Sequence, residues 1–258
     1  MIELPKDLPQ LIFLYLMPFI RITAMVMALP IIGSHLVPAK IKLMISIGIT
    51  LIVITSGEVH LTNITQVPWI YIVLSIGYQI IIGVLFGLII HTIFQAFNIA
   101  GQVIAMQMGL GFAQMVDPQS GVSVPTVSQF FMMVATLLYL SMNGHLYVIS
   151  ALVESFKTMP AMINDFAPIE FDEVFSLGTM MFSYAIKIAL PAIVALLVTN
   201  IAFGVMTKAA PQFNIFTLGF SISMILGIGL IWINLAFILP VFTDLSENVH
   251  VALLEATR

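Results

Sequence analysis

The sequence has no cysteine, and it carries only eight Lys or Arg and twelve Asp or Glu in 258 residues, so 8% of it is charged. Without cysteine there is no disulfide and no thiolate-bound metal. A soluble domain carries about 25% charged residues. With 60% hydrophobic residues, this chain cannot cover a soluble surface, and a multi-span membrane protein is the expected class. A net charge of -4 gives no sign of a nucleic-acid partner. None of the carboxylates falls in the middle of a hydrophobic segment, which argues against a proton-coupled transporter. There is no HExxH, no GxSxG and no P-loop. The run "GLGFAQ" at 109–114 lacks the third glycine of a dinucleotide fingerprint and follows no strand. The histidines, His35, His60, His91, His145 and His250, share no ligand spacing. No catalytic residue, metal or cofactor is therefore expected.

Six hydrophobic segments are present, at about 9–33, 41–56, 67–97, 127–153, 174–206 and 212–243. They predict an all-α, polytopic chain of helical hairpins, since a helix needs roughly 20 apolar residues to cross a ~30 Å core. The start, "MIELPKDLPQ", sets Glu3 and Asp7 beside Lys6 and does not read as a signal peptide, so the first segment is expected to be kept as a span. The second is short and contains Gly48. No charge occurs between Glu58 and Asp117, a run of about 85 Å if wholly helical. That region should tilt, break or fold back, with Gly101, Gly109 and Gly111 as break points. Kinks are expected at Pro18, Pro30, Pro191 and Pro240. Lys40, Lys42 and Lys208 against the acidic 154–173 loop place the N-terminus outside. Only Arg21 and Lys187 lie near segment centres. Either could serve an ion pathway, but the favoured reading is that each faces a partner subunit or a wet cavity and finds a carbonyl or carboxylate there.

The third segment carries a stripe on one helical face. Gly83 and Gly87, in "GVLFG", are followed by His91, Gln95, Asn98 and Gln102. Steps of three and four keep one face. Small residues let helices approach closely and amides bond across the contact. The stripe fits either packing within the chain or contact with other subunits or a wet lumen. The last hairpin repeats the device with Gly219, Ser223 and Gly227 opposite Ala185, Ala189 and Ala192, and packing is the favoured reading there. Met106, Met108, Met115, Met132 and Met133 cluster around a Gly-rich break. Met is adaptable enough to form a deformable seal, though any one of them reads as ordinary membrane hydrophobicity.

The stretch "GQVIAMQMGLGFAQMVDPQSGVSVP" resembles the signature of the FliR family of flagellar export proteins. The matching elements are Gly101-Gln102, Gly109-Leu110-Gly111-Phe112-Ala113, Asp117-Pro118, Gly121 and Pro125, with "PFIRITAMVMALPIIG" near the start. The resemblance implies an export-gate subunit at the bacterial inner (cytoplasmic) membrane, in the flagellar basal body, with parts raised toward the periplasm. It implies partnership with FliP and FliQ in the core complex, with FlhB and FlhA around it, and unfolded flagellar substrates as cargo. It implies a FliP-like region over 1–173 and a FliQ-like hairpin over 174–258. It also implies that the loop at about 106–125 plugs the closed pore beside a ring of Met from FliP. The plug residues would be Met106, Met108, Gly109, Leu110, Gly111, Phe112, Met115, Val116, Asp117 and Pro118. The stripe residues Gly83, Gly87, His91, Gln95, Asn98 and Gln102, with Gly219, Ser223 and Gly227, would serve subunit contact. Two rivals stay open: an assembly factor of the gate without a gating role, and a small-solute secondary transporter.

Overall fold

A computed structural model describes residues 8–35, 37–56, 68–110, 126–159, 171–209 and 215–256. These form seven α-helices and, among the described residues, no strand: α1 (Leu8–Ala28), α2 (Ala39–Thr55), α3 (Trp69–Gln107), α4 (Thr126–Ser141), α5 (Gly144–Thr158), α6 (Phe171–Ala209) and α7 (Ile215–Glu255). The all-α expectation holds. Three helices are long and apolar enough to cross a membrane, in α3, α6 and α7, and α4 with α5 would make a fourth as a broken pair. At 17 residues α2 is about 26 Å long, short of the ~30 Å core.

Three segments differ from their sequence pattern. The α3 helix runs 39 residues without a break at Gly101, about 58 Å of helix. The expected continuous segment at 127–153 is instead two helices. They part at Asn143, whose φ of 57° and ψ of 29° are left-handed, a conformation Asn tolerates better than most residues. The α7 helix continues past residue 243 to Glu255 and takes Asp244 into its body. Pro18, Pro191 and Pro240 all lie inside helices, while Pro30 follows the end of α1.

The chain divides into two compact units, one of residues 1–92, 142–177 and 248–258, the other of 93–141 and 178–247. This partition cuts α3, α6 and α7 internally, and the expected division at 173/174 falls near the start of α6. In the first unit α1 packs along α2 and buries Met17, Ile22, Met25 and Val26. It also lies against α3 in the same direction: Arg21 meets Gln79, Ala24 meets Gly83, and Ala28 meets Gly87. In the second unit α3 packs on α4 through Phe94 and Tyr139, with ring centroids 5.4 Å apart. It packs on α7 through Phe97 and Phe242 at 5.7 Å. The α6–α7 hairpin buries Ala185, Ala189 and Ala192 and is tied by Asn234 Nδ2 donating to the Ile188 carbonyl at 2.8 Å.

Candidate functional site at the end of the third helix

The C-terminal half of α3 is held by close backbone approach. A Cβ at Gly101 would lie 2.5 Å from Ser128 Cα of α4, so only glycine lets these two helices meet at this depth. Gly101 is thus a packing site rather than the expected break. The polar stripe runs beside this contact. Asn98 Nδ2 donates to Gln95 Oε1 at 2.9 Å, and Gln102 Nε2 donates to Asn98 Oδ1 at 3.3 Å. Three half-buried amides thus bond to one another along the helix. They form one connected polar run.

The break falls at Gly109. Its φ of +82° is open to glycine and strained for most L side chains. The α-helix ends at Gln107, and the turn that follows is closed by Met108 N–H on the Ile104 carbonyl and Gly109 N–H on the Met106 carbonyl, both at 3.0 Å. Positive φ just past a helix terminus is a common way to stop it.

Two contacts with α7 then hold the turn. Met108 is buried, and its side chain lies over Gly227, where a Cβ would come within 2.6 Å of the sulfur. The Phe220 ring lies over Gly109, 2.9 Å from where a Cβ would sit. Met106 points the other way and is 61% exposed. The methionine cluster therefore has two fates. Met108 is a packed anchor, whereas Met106 and Met133 are exposed and Met132 is half-buried. Leu110 is half-buried. Gly111, Phe112, Met115, Val116, Asp117 and Pro118 lie outside the described residues.

Several stripe residues expected at subunit contacts have neighbours inside the chain. A Cβ at Gly83 would overlap the Arg21 carbonyl oxygen and approach Ala24 Cβ to 2.8 Å, and one at Gly87 would overlap the Ala28 methyl. Ser223 is buried, with its Oγ 3.4 Å from Asn200 Oδ1 of α6. Gly227 receives Met108. For these four the intrachain packing alternative accounts for the residue. Gly219, His91, Gln95, Asn98 and Gln102 remain half-buried.

The two cations near segment centres are both answered within the chain. Arg21 is fully buried. Its Nε donates to Gln79 Oε1 at 2.6 Å, Nη1 to the Ser155 carbonyl and Oγ at 3.1 and 2.9 Å, and Nη2 to the Met159 carbonyl at 2.7 Å. The guanidinium also lies 4.1 Å from the Phe156 ring centroid. Among the described residues no carboxylate pairs with it. Its counter-field is the C-terminal end of α5, whose last carbonyls carry the negative pole of the helix dipole. Lys187 lies 3.8 Å from Asp244 of α7 and 4.1 Å from the Tyr184 ring centroid, and Tyr184 donates to the same carboxylate at 2.6 Å. Sequence reasoning missed Gln79, Ser155 and Asp244. Gln79 had a signal, because it precedes Gly83 by four residues and extends the same stripe.

This arrangement defines an all-helical membrane protein whose longest uncharged helix ends in a glycine turn clasped by a C-terminal hairpin. The chain matches the bacterial export proteins, family 1, over residues 12–249. It is 34% identical over 232 residues to the flagellar biosynthetic protein FliR of Pectobacterium carotovorum subsp. carotovorum, covering 90% of this chain and 86% of that one. Against FliR of Escherichia coli strain K12 it is 33% identical over 236 residues, 92% and 88% of the two chains. Against FliR of Bacillus subtilis strain 168 it is 28% identical over 249 residues, 95% and 93% of the two. The chain belongs to the bacterial export proteins, family 1, within which it groups with the FliR proteins.

Proposed function

We propose that this chain is a non-enzymatic subunit of the flagellar protein export gate. With FliP- and FliQ-like partners it forms the protein-conducting channel, and its loop at about 106–125 closes that channel at rest. FlhB- and FlhA-like components would adjoin it at the inner membrane, and unfolded flagellar proteins would be its cargo. The observation that carries this reading is the way the loop is mounted. Its start is pinned at Met108 and Gly109, and the helix that follows it, α4, is locked to α3 at Gly101 and Ser128. Both posts stay in place if the proposed plug is displaced, and a loop is the kind of element that opens at small free-energy cost.

Two further features support the reading. The α3, α6 and α7 helices leave large apolar side chains exposed, among them Leu88, Ile186, Leu190, Trp232 and Phe237, as a subunit buried among other helices requires. The half-buried amides Asn98 and Gln102 extend one polar face along α3, which fits contact with partner helices or a wet lumen. The FliP-like and FliQ-like division at 173/174 belongs to the same proposal.

Deleting 111–121 tests the gating role. The complex should still assemble with its partners, and small-ion leak across the membrane should rise. Normal assembly without added leak would leave the chain an assembly factor. A Cys at Phe112 should crosslink to pore-lining residues of the FliP-like partner at rest and lose that crosslink during export. Equal crosslinking in both states would count against gating.

A further inference from the structure

The glycine contacts of this chain fall into two physical kinds. At Gly83 and Gly101 the atoms that close in are mainly backbone, and at Gly87 they are the backbone and methyl of Ala28. Those contacts yield only if whole helices move. At Gly227 and Gly109 the intruding atoms belong to side chains, the Cγ, Sδ and Cε of Met108 and the ring of Phe220. Such contacts reseat by rotamer changes, which Met makes readily through its unbranched stem. Both side-chain contacts sit at the turn from which the loop departs. Gly109, at φ +82°, supplies the adjoining backbone freedom.

We infer that Met108 seated on Gly227 is a releasable catch, by which the C-terminal hairpin holds the loop's first residues at rest and lets them go for export. The inference rests on the gating role proposed above and names the element that regulates it. Gly227 is the socket because any side chain there would occupy the space of the Met108 thioether. Phe220 is the second jaw, pressing on Gly109 one residue further along. Movement of α7 against α3 would then reach the loop directly, through a side chain rather than through a chain of intermediaries.

The natural chain has no cysteine, so the double variant M108C/G227C introduces its only thiol pair. A Cys Sγ at 108 takes roughly the place of Met108 Cγ, which lies beside the Cβ position of residue 227, within disulfide reach. In cells carrying the whole export apparatus, mild oxidation should form the intrachain disulfide. Secretion of flagellar substrates should then fall roughly tenfold or more and recover on reduction. Neither single-Cys variant should change its own rate between oxidising and reducing conditions. A disulfide that forms while secretion continues at the reduced rate overturns the catch, as does a folded, exporting double variant in which no disulfide forms. Should the Cys pair fail to assemble, G227A supplies the second measurement. Its methyl expels the flexible Met108 end, and hydrogen exchange at 106–110 should quicken in the purified complex. Unchanged exchange overturns the inference. The gating role fails by a different result, the absence of added ion leak on deleting 111–121, which leaves the oxidation experiment readable by itself.

Discussion

Arg21 of α1 donates from Nη2 to the carbonyl of Met159 across 2.7 Å, and Met159 is the residue that caps the C-terminus of α5. The same arginine reaches Gln79 of α3, and its own carbonyl faces Gly83 one turn further along. The missing side chain at Gly83 and the long one at Arg21 are thus parts of one arrangement. The glycine lets α3 come close enough for the guanidinium to gather neutral acceptors from two helices.

Replacing Arg21 should be costly. Arg21→Gln removes a buried guanidinium and takes the Arg21 donor from the Met159 carbonyl, while the Ser155 carbonyl keeps the Met159 N–H, a loss of about 2–4 kcal/mol. Arg21→Lys should recover less than half of it, because one ammonium cannot reach the four acceptors that the guanidinium fork serves. Thermal unfolding in mild detergent reads the effect, and a melting point within a degree of wild type for Arg21→Gln would refute it.

The pair Lys187 and Asp244 should behave in the opposite way. Both side chains are more than half exposed, at 52% and 59%, and lie 3.8 Å apart. Lys187→Ala should cost under about 1 kcal/mol where the pair meets water. The same unfolding assay should rank it well below Arg21→Gln, and raising the salt should shrink its effect further.

Gly87→Val should weaken the α1–α3 packing by about 1–3 kcal/mol through overpacking against Ala28. The paired change Gly87→Ala with Ala28→Gly should recover most of the loss from Gly87→Ala alone, because it moves the methyl from one helix to the other. A double-mutant cycle with no coupling would place the two residues apart.

Gly109→Val should strain the turn by about 1–2 kcal/mol and collide with the Phe220 ring. Gly109→Asn should be milder because Asn tolerates positive φ. The readout is protease cleavage between 106 and 110, faster for Val than for Asn. Equal rates would mean that the φ of Gly109 does not matter to the turn.

Asn98→Leu removes the central amide of the chain Gln95, Asn98 and Gln102, and so its two hydrogen bonds at 2.9 and 3.3 Å. The isolated subunit should lose about 1 kcal/mol. Co-purification of FliP- and FliQ-like partners should fall by a larger factor than that loss explains. A purely proportional fall would make the stripe an internal device.

Much of the fold could be read along the chain. The positions of α1, α2 and α6, and the start of α7, followed from apolar runs, because burial in lipid or among helices selects composition locally. Gly109 was one of three glycines marked as break points, and it is the one at which the turn after α3 falls. Gly101 shows the limit of such marking. The same residue type serves helix interruption and close helix approach, and only its neighbour Ser128 decides between them. Asn143 was hidden for the converse reason, as one left-handed residue in an apolar run barely alters the pattern.

By itself the sequence determined a helical, lipid-compatible chain, because low charge and long apolar runs constrain any arrangement the chain adopts, while its likeness to the bacterial export family lay in the motif at 101–125. It also marked Arg21, Lys187 and the small-residue stripes as positions needing partners. Which partners they took was decided by tertiary structure. Gln79 is 58 residues from Arg21 and Met159 is 138 residues away, separations at which no local periodicity carries information. The same holds for Met108 and Gly227. Each reads as ordinary membrane composition, and only the packing of α7 on α3 makes one the socket of the other.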